Sequence, residues 1–140
     1  AKIGFEQKDL LEVHEKLSGI PGFISYYGLL RVKGNSHSSS LKSAMDYAMA
    51  QWRHDLQAFT AVYKSPIYLE LLRFLADTVT GASWSEIKHG LKARLGRELP
   101  NPMLLRLLRN LINAGMVEKR DNRYWIPDYP LRQALLSSIS

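Results

Sequence analysis

Apolar residues recur every three to four positions from Leu10 to about residue 112; after that the pattern shrinks to two brief runs around a polar turn. A period of that kind predicts a series of helices closed by a small hairpin. Leu10, Leu11, Val13, His14 and Leu17 form the first helical stripe, with Glu12, Glu15 and Lys16 on the wet side, and Ser18-Gly19 end it. Pro21 opens a second helix, since a proline loses nothing in a first turn whose N–H groups lack partners anyway. Phe23, Ile24, Tyr26, Tyr27, Leu29 and Leu30 make this helix apolar on most sides, so deep burial is expected until Gly34-Asn35. A short polar loop, Ser36 to Ser40, follows, and Ser38 or Ser39 is expected to cap a long third helix. That helix carries Leu41, Ala44, Met45, Ala48, Met49, Trp52, Leu56 and Phe59 at helical spacing.

The second half has sharper punctuation. Ser65-Pro66 starts a helix whose stripe is Ile67, Leu69, Leu71, Leu72, Phe74 and Leu75. Ser83 and Glu86 stand at capping-box spacing before Ile87, Leu91 and Leu95, and Gly96 closes that helix. Asn101-Pro102 opens the next, with Asn101 expected as the cap. Its expected core stripe is Leu104, Leu105, Leu107, Leu108, Leu111 and Ile112, and Gly115 ends it. Val117-Glu118-Lys119 and Tyr124-Trp125-Ile126 read as two strands around an Asp121-Asn122 turn. Asp128, Pro130 and Leu131 begin a short last helix.

The expected fold is therefore mainly α. A helical subdomain occupies residues 1–62, a winged-helix domain residues 64–129, and a short C-terminal helix or tail residues 130–140. The order helix, helix, helix, two-stranded ribbon is that of a helix-turn-helix variant with a wing.

Composition narrows the function. With no Cys among 140 residues, disulfides and thiolate zinc sites are excluded, and a reducing, cytoplasmic setting is expected. No apolar run is long enough for a membrane helix, so no membrane partner is expected. The first residue is Ala1 and no secretory pattern follows, which suggests an excised boundary within a longer chain. The net charge of +6 is uneven: residues 1–83 hold nine basic and eight acidic side chains, residues 84–140 ten and five. Such asymmetry is the footprint of a face that meets a polyanion, or of a solvated basic surface.

The candidate nucleic-acid contacts follow from that excess. Arg106, Arg109, Asn110 and Asn113 lie off the leucine stripe of the helix opened by Asn101-Pro102, and spacings of three and four put them on one exposed face. Arg and Asn each present two hydrogen-bonding groups, which suits phosphates and base edges. Lys119, Arg120 and Arg123 crowd the hairpin tip, where they would straddle a phosphate backbone; Arg94 and Arg97 end the preceding helix. Weak, non-specific double-stranded DNA binding is the expectation, with protein docking as the alternative use of a winged helix. His14, His37, His54 and His89 share no metal-ligand spacing, so no metal is expected, and each reads as a surface or satisfied histidine. No catalytic constellation and no G-x-x-x-x-G-K-[ST] loop occurs, so no enzyme activity and no cofactor are expected of this chain. Trp52, Trp84 and Trp125 read as structural.

The segment from Leu17 to Gly28, LSGIPGFISYYG, resembles the "GGIPG-x-L-x-x-Y-G" lid stretch of the archaeal ATPase family, a branch of AAA+/STAND-type ATPases. Lys64 to Tyr68, Trp84 to Leu91 and Leu108 to Leu111 resemble that family's "RSPRY", "RWSEIKRGL" and "LLKNL" stretches in the same order. The resemblance covers nearly the whole chain, with Ser18 where the family usually has Gly. It implies that residues 1–62 are a lid, and that a domain with Walker A and B motifs, binding ATP and Mg, precedes Ala1 and partners this chain. It also implies that Gly19, Ile20 and Pro21 pack on the adenine; on their own these residues also fit a plain interhelical turn. The usual lid arginine has no clear counterpart, Arg31 being the nearest candidate. The expected function is that of a non-catalytic C-terminal part of an ATPase that binds DNA or regulates the ATPase; the alternatives are a free-standing transcription regulator and a protein-docking winged helix.

Overall fold

The computed structural model describes residues 6–137. Among these the chain forms seven helices and a small antiparallel sheet of three strands. Two compact units are present, one built on residues up to Asp55 together with Asp128–Ala134, the other on Leu56–Pro127 with residues from Leu135 on.

In the first unit, α1 spans Gln7–Lys16, α2 Pro21–Val32, and α3, His37–Tyr63, begins. Val13, Leu17, Tyr27, Leu41 and Ala44 form its buried cluster, with Phe23, Ile24, Tyr26 and Met45 packed against it. Two expectations need correction. Leu10 and Leu11 are exposed, and of α2 only Tyr27 is fully buried, while Leu29 and Val32 stand in solvent. With so few helices each presents one face to the core, and the apolar run of α2 is wider than one face. The cap of α3 is Ser36 rather than Ser38 or Ser39: its Oγ accepts the Ser39 amide at 3.1 Å. The last helix, α7, spans Tyr129–Ser137, and the Asp128 carboxylate accepts the Leu131 amide at 3.1 Å.

The second unit runs α4 Ile67–Ala76, β1 Ala82–Ser83, α5 Trp84–Leu95, α6 Asn101–Asn113, β2 Glu118–Arg120 and β3 Arg123–Trp125. Local signals set most of these boundaries. Ser65 Oγ accepts the Ile67 amide, the Ser83–Glu86 capping box forms in both directions, and Gly96 ends α5 at φ 73°. Asn101 is an exception. Pro100 is the N-cap residue, no side chain caps α6, and the Asn101 side-chain oxygen Oδ1 instead accepts from Lys88 Nζ.

The sheet also differs from the expected two-stranded ribbon. Its order is β1-β3-β2, with Ala82 opposite Tyr124 and Ser83 opposite Arg123. Gly81 permits this pairing: it has φ 80°, and a Cβ there would lie 2.6 Å from the Tyr124 carbonyl oxygen. The α4–α5 contact is at least as close, because a Cβ on Gly90 would run into the Phe74 ring. The core is leucine-rich: Leu71, Leu72, Leu75, Leu104 and Leu111 are wholly buried, Leu91 and Leu108 nearly so. Leu105 and Ile112, expected in that stripe, are 44% and 37% exposed. The buried arc of α6 is set by residues 104, 107, 108 and 111, and at 100° per residue 105 and 112 fall outside it. Among the described residues no helix is long and apolar enough to cross a membrane.

Candidate nucleic-acid interface

The hairpin closes in a tight two-residue turn. Asp121 and Asn122 both have positive φ, 53° and 62°, the conformation whose twist matches two flanking strands. Register places Lys119 opposite Tyr124 and Arg120 opposite Arg123. Lys119 Nζ sits 5.5 Å from the Tyr124 ring centre and the Arg120 guanidinium 5.0 Å from that of Trp125. Both cations are thus rested on aromatic faces and still exposed.

Three residues of the expected set are otherwise engaged. Arg123 donates to the carbonyl oxygens of Thr80 (3.2 Å) and Gly81 (2.8 Å) and to Glu86 Oε1 (3.3 Å). It ties β3 to the β1 approach and to the first turn of α5. Arg94 bridges Glu70 and Asp77. Asn110 donates its side-chain amide to Tyr68 Oη at 2.8 Å. The cations left over are Arg97 after α5, and Arg106 and Arg109 on α6. All three are exposed, without an acidic partner among the described residues. Asn113 is exposed on the same side of α6. Glu86 is held below the usual carboxylate range, first by the Ser83 hydroxyl and amide and then by Arg123.

In the first unit, the turn between α1 and α2 is built by Ser18 and Gly19, both with positive φ (55° and 67°). Ile20 is the N-cap residue of α2, Pro21 follows at its start, and Ser18 Oγ accepts the Tyr129 amide at 2.8 Å. A Cβ on Gly19 would approach the His14 ring to 3.1 Å. Arg31 donates to the Asn35 carbonyl.

His37, which reads from sequence as an ordinary histidine, instead joins three helices. Its Nδ1 lies 2.8 Å from Tyr27 Oη, and its Nε2 2.7 Å from Glu12 and 3.6 Å from Asp9. Burial raises the Tyr27 pKa. Only the spacing of Asp9 and Glu12 on one face of α1 hinted at such a partner. Among the described residues no group of three or more His, Asp or Glu is placed to hold a metal ion.

No family model and no curated protein matches the chain. Among solved structures it is similar to the Walker-type ATPase of Pyrococcus abyssi, with a TM-score of 0.79 at 27% sequence identity. The likeness covers 95% of this chain and 37% of that one, so the chain spans little more than a third of that protein's length. Fold and comparison thus agree on a mainly helical chain similar to part of a Walker-type ATPase.

Proposed function

We propose that the chain is a non-catalytic C-terminal portion of a Walker-type ATPase, a lid-like helical unit followed by a winged helix whose basic face binds double-stranded DNA. The observation that carries the first half is the likeness over nearly all of this chain to 37% of the P. abyssi ATPase. On this proposal ATP and Mg are held mainly by a preceding ATPase domain, with Gly19, Ile20 and Pro21 facing the adenine. The exposed Leu10, Leu11, Leu29 and Val32 of the first unit are consistent with a further domain covering them.

The DNA half rests on Arg97, Arg106 and Arg109, left without acidic partners, and on Lys119 and Arg120, fixed on the hairpin. These charges suit phosphates rather than base edges. With about four phosphates neutralised, each contributing a slope near −0.9 in log affinity against log salt, binding is expected to be weak, about 10⁻⁴–10⁻⁶ M near physiological salt, and steeply salt-dependent. The test is a salt titration of duplex binding by the wild type and by the Arg106→Glu/Arg109→Glu variant. The variant is expected to bind less tightly and with a shallower slope; an unchanged slope would show that α6 meets no phosphate. Without wild-type binding even at low salt, protein docking takes first place, an alternative that the exposed Leu105 and Ile112 beside Arg109 favour.

A further inference from the structure

We infer that this face also takes an unpaired stretch of DNA, with the ring of Tyr63 as the platform on which a base stacks. The inference rests on the DNA proposal above and narrows its substrate to duplexes that carry a single-stranded tail or junction.

Tyr63 ends α3 and its residue is 42% exposed. Its ring is not loose. It lies 4.5 Å from Phe59 and 5.3 Å from Tyr68, centre to centre, and Phe59 meets Tyr68 edge-on at 4.9 Å. Phe59 and Tyr68 are both buried, so the exposed ring stands on a buried aromatic base. A ring already fixed loses little freedom when a base stacks on it.

The cluster is also tied to the helix that carries the unpartnered arginines. Tyr68 Oη accepts the side-chain amide of Asn110. Arg106 lies four residues before Asn110 and Asn113 three after, so both stand on the side of α6 nearest that bond. Lys64 follows Tyr63 directly, exposed and at φ 55°. An anchored aromatic face, with Lys64 next to it in the chain and Arg106 on the helix bonded to its base, is the kind of arrangement that holds single strands: stacking accepts any base, and the charges follow the backbone. An apolar peptide would satisfy the ring and leave the charges unmatched; a plain duplex would satisfy the charges and leave the ring idle.

The experiment compares a short blunt duplex, the same duplex extended by an oligothymidine tail, and the oligothymidine alone, by fluorescence anisotropy with the full 140-residue chain at low salt. The tailed duplex is expected to bind about tenfold more tightly than the blunt one, the gain from stacking a single base. Tyr63→Ala should bring the tailed duplex down to the blunt value and leave the blunt value unchanged. Tyr63→Trp, which keeps a packed ring, should preserve the preference and guards against a folding defect in the alanine variant. Equal wild-type affinity for blunt and tailed duplexes overturns the inference and leaves the DNA proposal standing. So does a preference that survives Tyr63→Ala, or one lost in a folded Tyr63→Trp. Binding to oligothymidine without binding to the blunt duplex supports the stacking platform and overturns duplex binding. No binding to any of the three overturns both.

Discussion

A guanidinium that already serves two carbonyls and a carboxylate has little left for a phosphate, and Arg123 is in that position. Its partners Thr80, Gly81 and Glu86 lie 37 to 43 residues back in the chain. Arg123→Met keeps the stem and removes those bonds, and is expected to cost about 1–2 kcal/mol by thermal melting. An unchanged melt with a lower salt slope for DNA would instead make Arg123 a phosphate contact. Asp128 carries the other residue-scale expectation. Burial raises its pKa, with the Leu131 amide opposing in part. A carboxyl raised in the folded state favours folding below its unfolded pKa, and that contribution is lost as pH rises through the folded value. Asp128→Asn keeps an acceptor for the Leu131 amide and removes the buried charge. It is therefore expected to melt no lower than the wild type at neutral pH, its advantage shrinking as the pH falls through the carboxylate range. Glu86 works in the opposite sense: its pKa is lowered, so what it contributes is lost on the acid side. A neutral-pH melt of Asp128→Asn well below the wild type would show that the carboxylate is needed as an ion.

At the scale of the element, α6 is the most informative. Leu104, Leu107, Leu108 and Leu111 bury one arc of it, while Arg106, Arg109 and Asn113 stay in solvent. Leu108 is 1% exposed, so Leu108→Ala is expected to cost roughly 2–5 kcal/mol, read from a chemical denaturation midpoint. A loss below about 1 kcal/mol would mean that the site collapses around the missing methyls or that the helix faces otherwise. The exposed arc is mixed, since Leu105 and Ile112 lie along it beside Arg109. A helix of this kind anchors on phosphates more readily than it reads base edges, which is why little sequence preference is expected.

For the whole molecule, the proposal of a partial ATPase has a direct consequence in solution. The chain has no G-x-x-x-x-G-K-[ST] loop to cradle phosphates, and Gly19, Ile20 and Pro21 offer only a backbone turn and apolar surface. Calorimetry of ATP with Mg against the 140-residue chain is therefore expected to show binding no tighter than about 1 mM. A micromolar dissociation constant would mean that the chain holds the nucleotide by itself.

What the sequence determined by itself was whatever depends on neighbours a few positions away. The Ser83–Glu86 capping box, the proline start of α2, the glycine end of α5 and the Asp121-Asn122 turn are bonds and dihedrals spanning two to four residues, and each was legible. The buried positions 104, 108 and 111 were legible too, because helical period fixes which residues share a face. Folding decided the rest through partners far along the chain. β1 is two residues long and becomes a strand only by meeting β3, some forty residues later. His37 acquires its role from Glu12 and Tyr27 on other helices. Arg94, Asn110 and Arg123 looked like three more contacts for a polyanion. Their acids, hydroxyl and carbonyls were visible in the sequence, but nothing local said that these groups would meet, since side-chain pairing across tens of residues is set by how the helices pack.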